Sequence, residues 1–300
     1  MRSPLAHALV PLLALALPGG ARGAEWALAG QHATCADGPR TRTFTLRASE
    51  GVRELGMGLR VDGMTLGSPG QPIPVLEACE GDTVTLGLEN TGSMAHGIDS
   101  HAFRIDTGRF GPVNQGGKLS YRGVMTTPGA FMFHCASGPV TDVHIKSGMY
   151  GEMIVYPRRP FRPAHEIAVV QGGLFGEPDE NGLVHIDSGR IARNDPYTMM
   201  FDGRLEHETV KVTPGQLVRV YFVNAGPGSS AIHVMGTLLD RFYASGNPRN
   251  VEYGVQTGLV PAGGGAAFEF RVPEKGMYML VDHDNLRFLP FGFGIGFMAD

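Results

Sequence analysis

The chain has 300 residues, with 25 Lys and Arg against 29 Asp and Glu, a formal net charge of −4; without a basic run, nucleic acid is excluded as the main partner. Its 44 glycines and 21 prolines and its 18% charged residues are poor material for long helices, while 42% hydrophobic residues exclude wholesale disorder. A length of this size suits two domains of roughly 150 residues each.

Residues 1–23 read as a secretory signal peptide. Arg2 and His7 come before or at the start of an apolar stretch, Ala8 to Leu17, followed by Pro18-Gly19-Gly20 and the small residues Ala21 and Gly23. The stretch is too short to span a bilayer, and no later segment approaches about 18 uninterrupted apolar residues. The mature protein is therefore expected to be periplasmic or secreted, with no membrane span. Three cysteines remain for that oxidising compartment, Cys35, Cys79 and Cys135. The simplest division pairs Cys35 with Cys79 and leaves Cys135 for another use.

Period-two alternation predicts strands at Thr41–Arg47 and Thr83–Leu88, the second entered through the turn Glu80-Gly81-Asp82. Phe131–Cys135 and Glu152–Tyr156 read as further strands, and Asn114–Ser120 is too glycine-rich for a helix. Pro157–Pro163 (PRRPFRP) has the composition of an extended linker. Beyond it the pattern restarts, with strands at Glu166–Gln171, Thr209–Val212, Leu217–Asn224, Ala266–Val272 and Gly276–Asp282. A phrase recurs as well: Glu80-Gly81-Asp82-Thr83-Val84 leading to Asn90 matches Pro214-Gly215-Gln216-Leu217-Val218 leading to Asn224. The expectation is an all-β protein of two related Greek-key β-sandwiches in tandem, residues 24–157 and 158–300.

The histidines carry the chemistry. His96 and His101 bracket Gly97-Ile98-Asp99-Ser100; His134 adjoins Cys135; His144 follows nine residues after the cysteine and Met149 five beyond that. A thiolate, two imidazoles and a thioether are the donor set of a trigonal electron-transfer copper with a weak axial Met. His134, next to Cys135 on a strand, must point to the opposite face. It can share a second metal with His101, but two imidazoles are too few, so a third has to come from elsewhere and leave one position open for a substrate. His32, His165, His185 and His207 have no partner at ligand spacing.

At Met94–Ala102 (MAHGIDSHA), Phe131–Gly151 (FMFHCASGPVTDVHIKSGMYG) and Tyr278–Arg287 (YMLVDHDNLR) the chain resembles the two-domain copper-containing nitrite reductases of the cupredoxin and multicopper oxidase superfamily. The resemblance implies two cupredoxin-like domains, one type 1 and one type 2 copper per subunit, and a homotrimer. It assigns His96, Cys135, His144 and Met149 to the type 1 copper. His101 and His134 fall on type 2 ligands, with His283 supplied by a neighbouring subunit. Asp99 matches the catalytic aspartate, nitrite is the implied substrate, and a small redox protein is the implied electron donor. The sequence also departs from the family pattern. Leu238 occupies the position of the catalytic histidine, Gln256 that of a usual glutamate, and Val143 that of a tryptophan near the electron-entry surface; His233 and Asp240 fit.

Two other readings stay open. One keeps both coppers and acts on another small molecule, because Leu238 makes the pocket more apolar; the other is a copper electron carrier without turnover. A trinuclear oxidase cluster is excluded, since no His-x-His occurs in the chain.

Overall fold

The computed structural model describes residues 35–68, 71–105 and 111–300. The predicted leader and His32 lie outside these residues. Within them the chain forms four β-sheets packed as two sandwiches. Alternation does the folding: Thr83–Asn90 buries every second residue, Val84, Leu86, Leu88 and Asn90, and leaves the residues between them half-buried.

In the first sandwich a sheet ordered Leu183–His185, Leu59–Thr65, Thr41–Gly56, Thr83–Asn90, Lys118–Val124 faces a sheet ordered Val75–Cys79, Tyr150–Tyr156, Gly129–His134, Asp99–Ser100. Leu46, Val84, Leu86, Phe133, Met153 and Val155 fill the space between them. The second sandwich sets Thr198–Phe201, His165–Leu174, Leu217–Asn224, Gly265–Arg271, Leu239–Ala244, Val251–Val255 against Val210–Val212, Ile295–Ala299, Gly276–Asp282, Ser230–Met235, Gly258–Val260. Its core spans Ile167 to Ala299 and is rich in Phe and Val. Both halves repeat one feature: Thr41–Gly56 runs parallel to Thr83–Asn90, and His165–Leu174 runs parallel to Leu217–Asn224. Parallel neighbours require a crossover between sheets, which is how a Greek-key sandwich is threaded.

The halves are not independent. Leu183–His185 from the second half adds a parallel strand beside Leu59–Thr65 of the first. Two further clusters bridge the sandwiches, one around Tyr156, Ala168 and Tyr221, the other around Met132, Tyr150, Val170 and Val223. Cys35 and Cys79 form a disulfide with Cα atoms 5.4 Å apart, and Cys135 is a buried free thiol.

Some local outcomes differ from expectation. The strand read as ending at Cys135 leaves the ladder after His134. Two short helices carry no strong sequence signal, Thr141–Lys146 and Ser188–Ala192. The second is capped by Asp187, whose carboxylate accepts the backbone N–H of Gly189 and Arg190 at 2.7 and 3.1 Å. Among the described residues no helix is long and apolar enough to cross a membrane.

Candidate metal centres

The strand Gly129–His134 organises both clusters. Ala130 and Met132 pack toward the second sandwich, while Phe133 and then Cys135 pack into the first core. His134 pairs in register with Asp99 on one side and Tyr150 on the other, so the three project from one face while Cys135 projects from the other.

On the core side, His96, Cys135 and His144 bring one donor atom each within 4.8 Å of one another, and all three are buried. Cys135 Sγ lies 3.7 Å from His96 Nδ1 and 3.3 Å from His144 Nδ1. The two rings are tilted by 56° with centroids 4.9 Å apart. His144 reaches this place from the short helix Thr141–Lys146, which the chain enters just after Cys135. Met149 is fully buried in the same core; its carbonyl accepts the Cys135 N–H at 3.0 Å, and its own N–H donates to the His144 carbonyl at 3.1 Å. Burial pushes the Cys135 thiol up, against hydrogen bonds from Ser137 and the Gly97 backbone, and burial pushes His144 down, helped by His96. A bound cation would reverse the first effect and hold the sulfur as thiolate.

His96 has a partner the sequence did not announce. Glu50, on the strand Thr41–Gly56, lies with Oε1 2.8 Å from His96 Nε2. The same carboxylate accepts the backbone N–H of Ser93 at 2.7 Å and of Met94 at 3.1 Å. Burial works against its charge, yet the hydrogen bonds from His96, Ser93 and Met94 hold Glu50 below the ordinary carboxylate range. With Nε2–H given to Glu50, the His96 Nδ1 that faces sulfur is a bare lone pair.

On the opposite face, Asp99, His101 and His134 form the second group of donors. His134 Nδ1 lies 2.9 Å from the Cys135 carbonyl, and His101 Nδ1 lies 3.0 Å from the Gly263 carbonyl of the second sandwich. Each ring thus donates through Nδ1, which leaves both Nε2 atoms as acceptors. These two Nε2 atoms are 3.2 Å apart, with the rings nearly perpendicular. Two lone pairs at that distance repel unless a proton or a cation lies between them. Burial pushes His134 below its usual range, with His101 adding to the effect, so a metal fits better than a proton. Asp99 Oδ2 stands 3.8 Å from His134 Nε2, at a side chain about one-third exposed.

His283 does not join this group within one chain. It follows the strand Gly276–Asp282, with its ring 5.3 Å from that of His233, and the two line an open, largely apolar cavity of about 490 Å³ with Met235, Val281, Leu286 and Leu289. His233 Nδ1 is 2.7 Å from the Gln256 carbonyl. Leu238 occupies the turn between Ser230–Met235 and Leu239–Ala244 and is 53% exposed. His165, His185 and His207 enter neither cluster among the described residues. Sequence reasoning missed Glu50 and Gly263, which are 46 and 162 residues from their histidines; nothing in local spacing signals contacts of that range.

Four sheets in two such sandwiches, with a buried thiol–imidazole site on one face of a strand and an imidazole pair on the other, define a cupredoxin-fold redox protein. Comparison with known proteins is specific beyond that. A copper nitrite reductase from Nitrosomonas europaea superposes with a TM-score of 0.78 at 31% identity, over 87% of this chain and 94% of that one. A copper-containing nitrite reductase from Neisseria meningitidis is 33% identical over 233 residues, 73% of this chain. One from Cereibacter sphaeroides is 28% identical over 278 residues, 83% of this chain and 74% of that protein. The chain belongs to the copper-containing nitrite reductase family. It matches 58% of the length of the Neisseria relative. No family model matches the chain.

Proposed function

We propose that this protein reduces nitrite to nitric oxide, with one type 1 and one type 2 copper per subunit. The observation that carries the reading is the pair of bare Nε2 atoms on His101 and His134, 3.2 Å apart beside Asp99 and one peptide bond from Cys135. His96, Cys135, His144 and the axial Met149 would hold the type 1 ion, and His101, His134 and the partner subunit's His283 the type 2 ion. Bound copper supplies one-electron relay at the first site, and electron donation with Lewis acidity toward nitrite at the second.

The chain's own groups do the rest. Cys135 and His134 are consecutive, so the covalent path between the sites is one residue step long. Reduction of nitrite to nitric oxide and water takes one electron and two protons. The Asp99 carboxyl, one-third exposed and near His134 Nε2, can hold a proton for the departing oxygen. Glu50 and the carbonyls of Cys135 and Gly263 lock the tautomers that turn lone pairs inward.

A homotrimer is part of the proposal, because His283 stands apart from His101 and His134 in a single chain. The surface around His283 supports it: Met235 is 48% exposed, Met277 52% and Leu259 64%, on the outer side of the sheet that carries His233. Apolar exposure on that scale marks an interaction surface. Exposed Met94 and Val140, near His96 and His144 in sequence, offer an apolar landing place for a small redox protein as electron donor. The Cys35–Cys79 disulfide supports a periplasmic or secreted location.

A second reading has its own observation. Leu238 can neither relay a proton nor hold a water, so the same two-copper trimer would handle a different small molecule. The deciding experiment is electron paramagnetic resonance of the copper-loaded protein, paired with an assay of nitric oxide release from nitrite and a reduced donor. Two copper signals, one shifted by nitrite, with nitric oxide formed, support the proposal. Two signals without nitric oxide favour the second reading, and a lone blue-copper signal points to an electron carrier.

A further inference from the structure

The two imidazoles that flank Cys135 are held in different ways. His144 Nε2 is buried without a hydrogen-bond partner among the described residues. His96 Nε2 instead meets a carboxylate, Glu50 Oε1, at 2.8 Å. That carboxylate sits in a built socket. It receives the backbone N–H groups of Ser93 and Met94, and the Ser93 hydroxyl lies 3.4 Å away. Gly92 lies close to the same carboxylate: a Cβ there would fall 2.5 Å from both Glu50 oxygens. The segment that Glu50 holds through Ser93 and Met94 is the one that delivers His96.

We propose that Glu50 is the positioning residue of the copper site: through His96 it sets the orientation of one ligand and lowers the reduction potential of the ion held with Cys135 and His144. The inference rests on reading the Cys135 cluster as a copper site. An imidazole that gives its N–H to an ionised acceptor carries more electron density on its other nitrogen and is the stronger donor. A stronger donor, with a fixed negative charge behind it, favours the more highly charged ion, so Cu(II) gains over Cu(I). The His144 side has no such group. The electron on the reduced ion is thereby easier to pass onward, toward the face of His134.

The test uses the full chain loaded with copper, as wild type, Glu50→Gln and Glu50→Ala, and it needs no nitrite. Three quantities are read: the blue absorption band, the reduction potential from a mediated titration, and the copper affinity of the Cys135 site. Glu50→Gln keeps size and an acceptor but removes the charge; it should stay blue with a higher potential. Glu50→Ala leaves Nε2 unpartnered and should weaken copper binding about 10–100-fold. A purely structural role for Glu50 predicts a Glu50→Gln potential equal to wild type, and that result overturns the proposal. If Glu50→Ala does not fold, Glu50→Gln still decides it. A wild type that binds copper without the blue band would sink both the copper reading and this inference. A blue wild type that leaves nitrite untouched would remove only the nitrite reading.

Discussion

The two candidate centres share one strand and contrast in almost everything else. The His96–Cys135–His144 group is buried and contained in one chain, and the tautomer of His96 is set by Glu50 from the same sandwich. The Asp99–His101–His134 group sits at the edge of the sandwich. One of its histidines is oriented by the other sandwich through Gly263, and its carboxylate is open to solvent. A site that only exchanges electrons gains from enclosure, because little around it has to rearrange. A site that must admit an anion and release a product has to stay open, and a neighbouring molecule can then complete it.

Removing one ligand from each side should break this contrast most sharply. His134→Ala is expected to keep the blue band and drop nitrite turnover to background. Cys135→Ser should abolish the blue band, and turnover with it, by taking the soft donor away. Absorption spectra and nitric oxide release check both. Loss of the blue band in His134→Ala would mean that the two faces of the strand are not separate sites.

The next effect concerns where the third histidine comes from. His134→Ala and His283→Ala copies are each expected to be inactive alone. Mixed trimers, formed by co-expression in equal amounts, should recover about a quarter of the wild-type sites, since that fraction pairs an intact His134 with a partner's intact His283. Were both ligands supplied within one chain, the mixture would stay inactive.

Much of this division can be read from the sequence, and the reason is the period-two geometry of a strand. Adjacent His134 and Cys135 must diverge, and the packing of Met132 and Phe133 into different clusters shows the same divergence one step earlier. The all-β class followed from alternation and glycine content for a similar reason. What stayed hidden depends on distance along the chain. Glu50 reaches His96 only because Thr41–Gly56 pairs with Thr83–Asn90, and Gly263 reaches His101 only because the two sandwiches pack together. The helix that carries His144 is only six residues long and follows a proline-containing 3-10 turn, below the length at which periodicity speaks. Leu183–His185 joining the first sandwich has no local signature either.

A smaller effect tests the open site's missing acid. Leu238→His should raise nitrite turnover roughly a hundredfold, the lower end of what a positioned acid–base group supplies. The blue band and the potential should not move, because Leu238 lies in the other sandwich from Cys135. An unchanged rate would favour a substrate other than nitrite.

The faint end of the comparison lies deeper on the face that carries His134. Glu152 is in register with Met132 and is wholly buried, and neither of its carboxylate oxygens has a hydrogen-bond partner among the described residues. The core-side face of the same strands carries Phe133, Met153 and Val155 and no such group. Burial, reinforced by Asp202, pushes the Glu152 carboxyl well above its ordinary value of 4.5. The folded protein therefore keeps this proton above pH 4.5 while the unfolded chain loses it. Protons bound are then fewer in the unfolded state, so this residue makes stability fall as pH rises through that window, by at most about 1.4 kcal/mol per pH unit. Glu152→Gln should remove that slope and leave the blue band unchanged, and Glu152→Met should raise the melting temperature at the alkaline end by taking away an unpaired buried polar group. Melting curves across the pH series check both. A slope that persists in Glu152→Gln would mean that Glu152 is not the group that holds the proton.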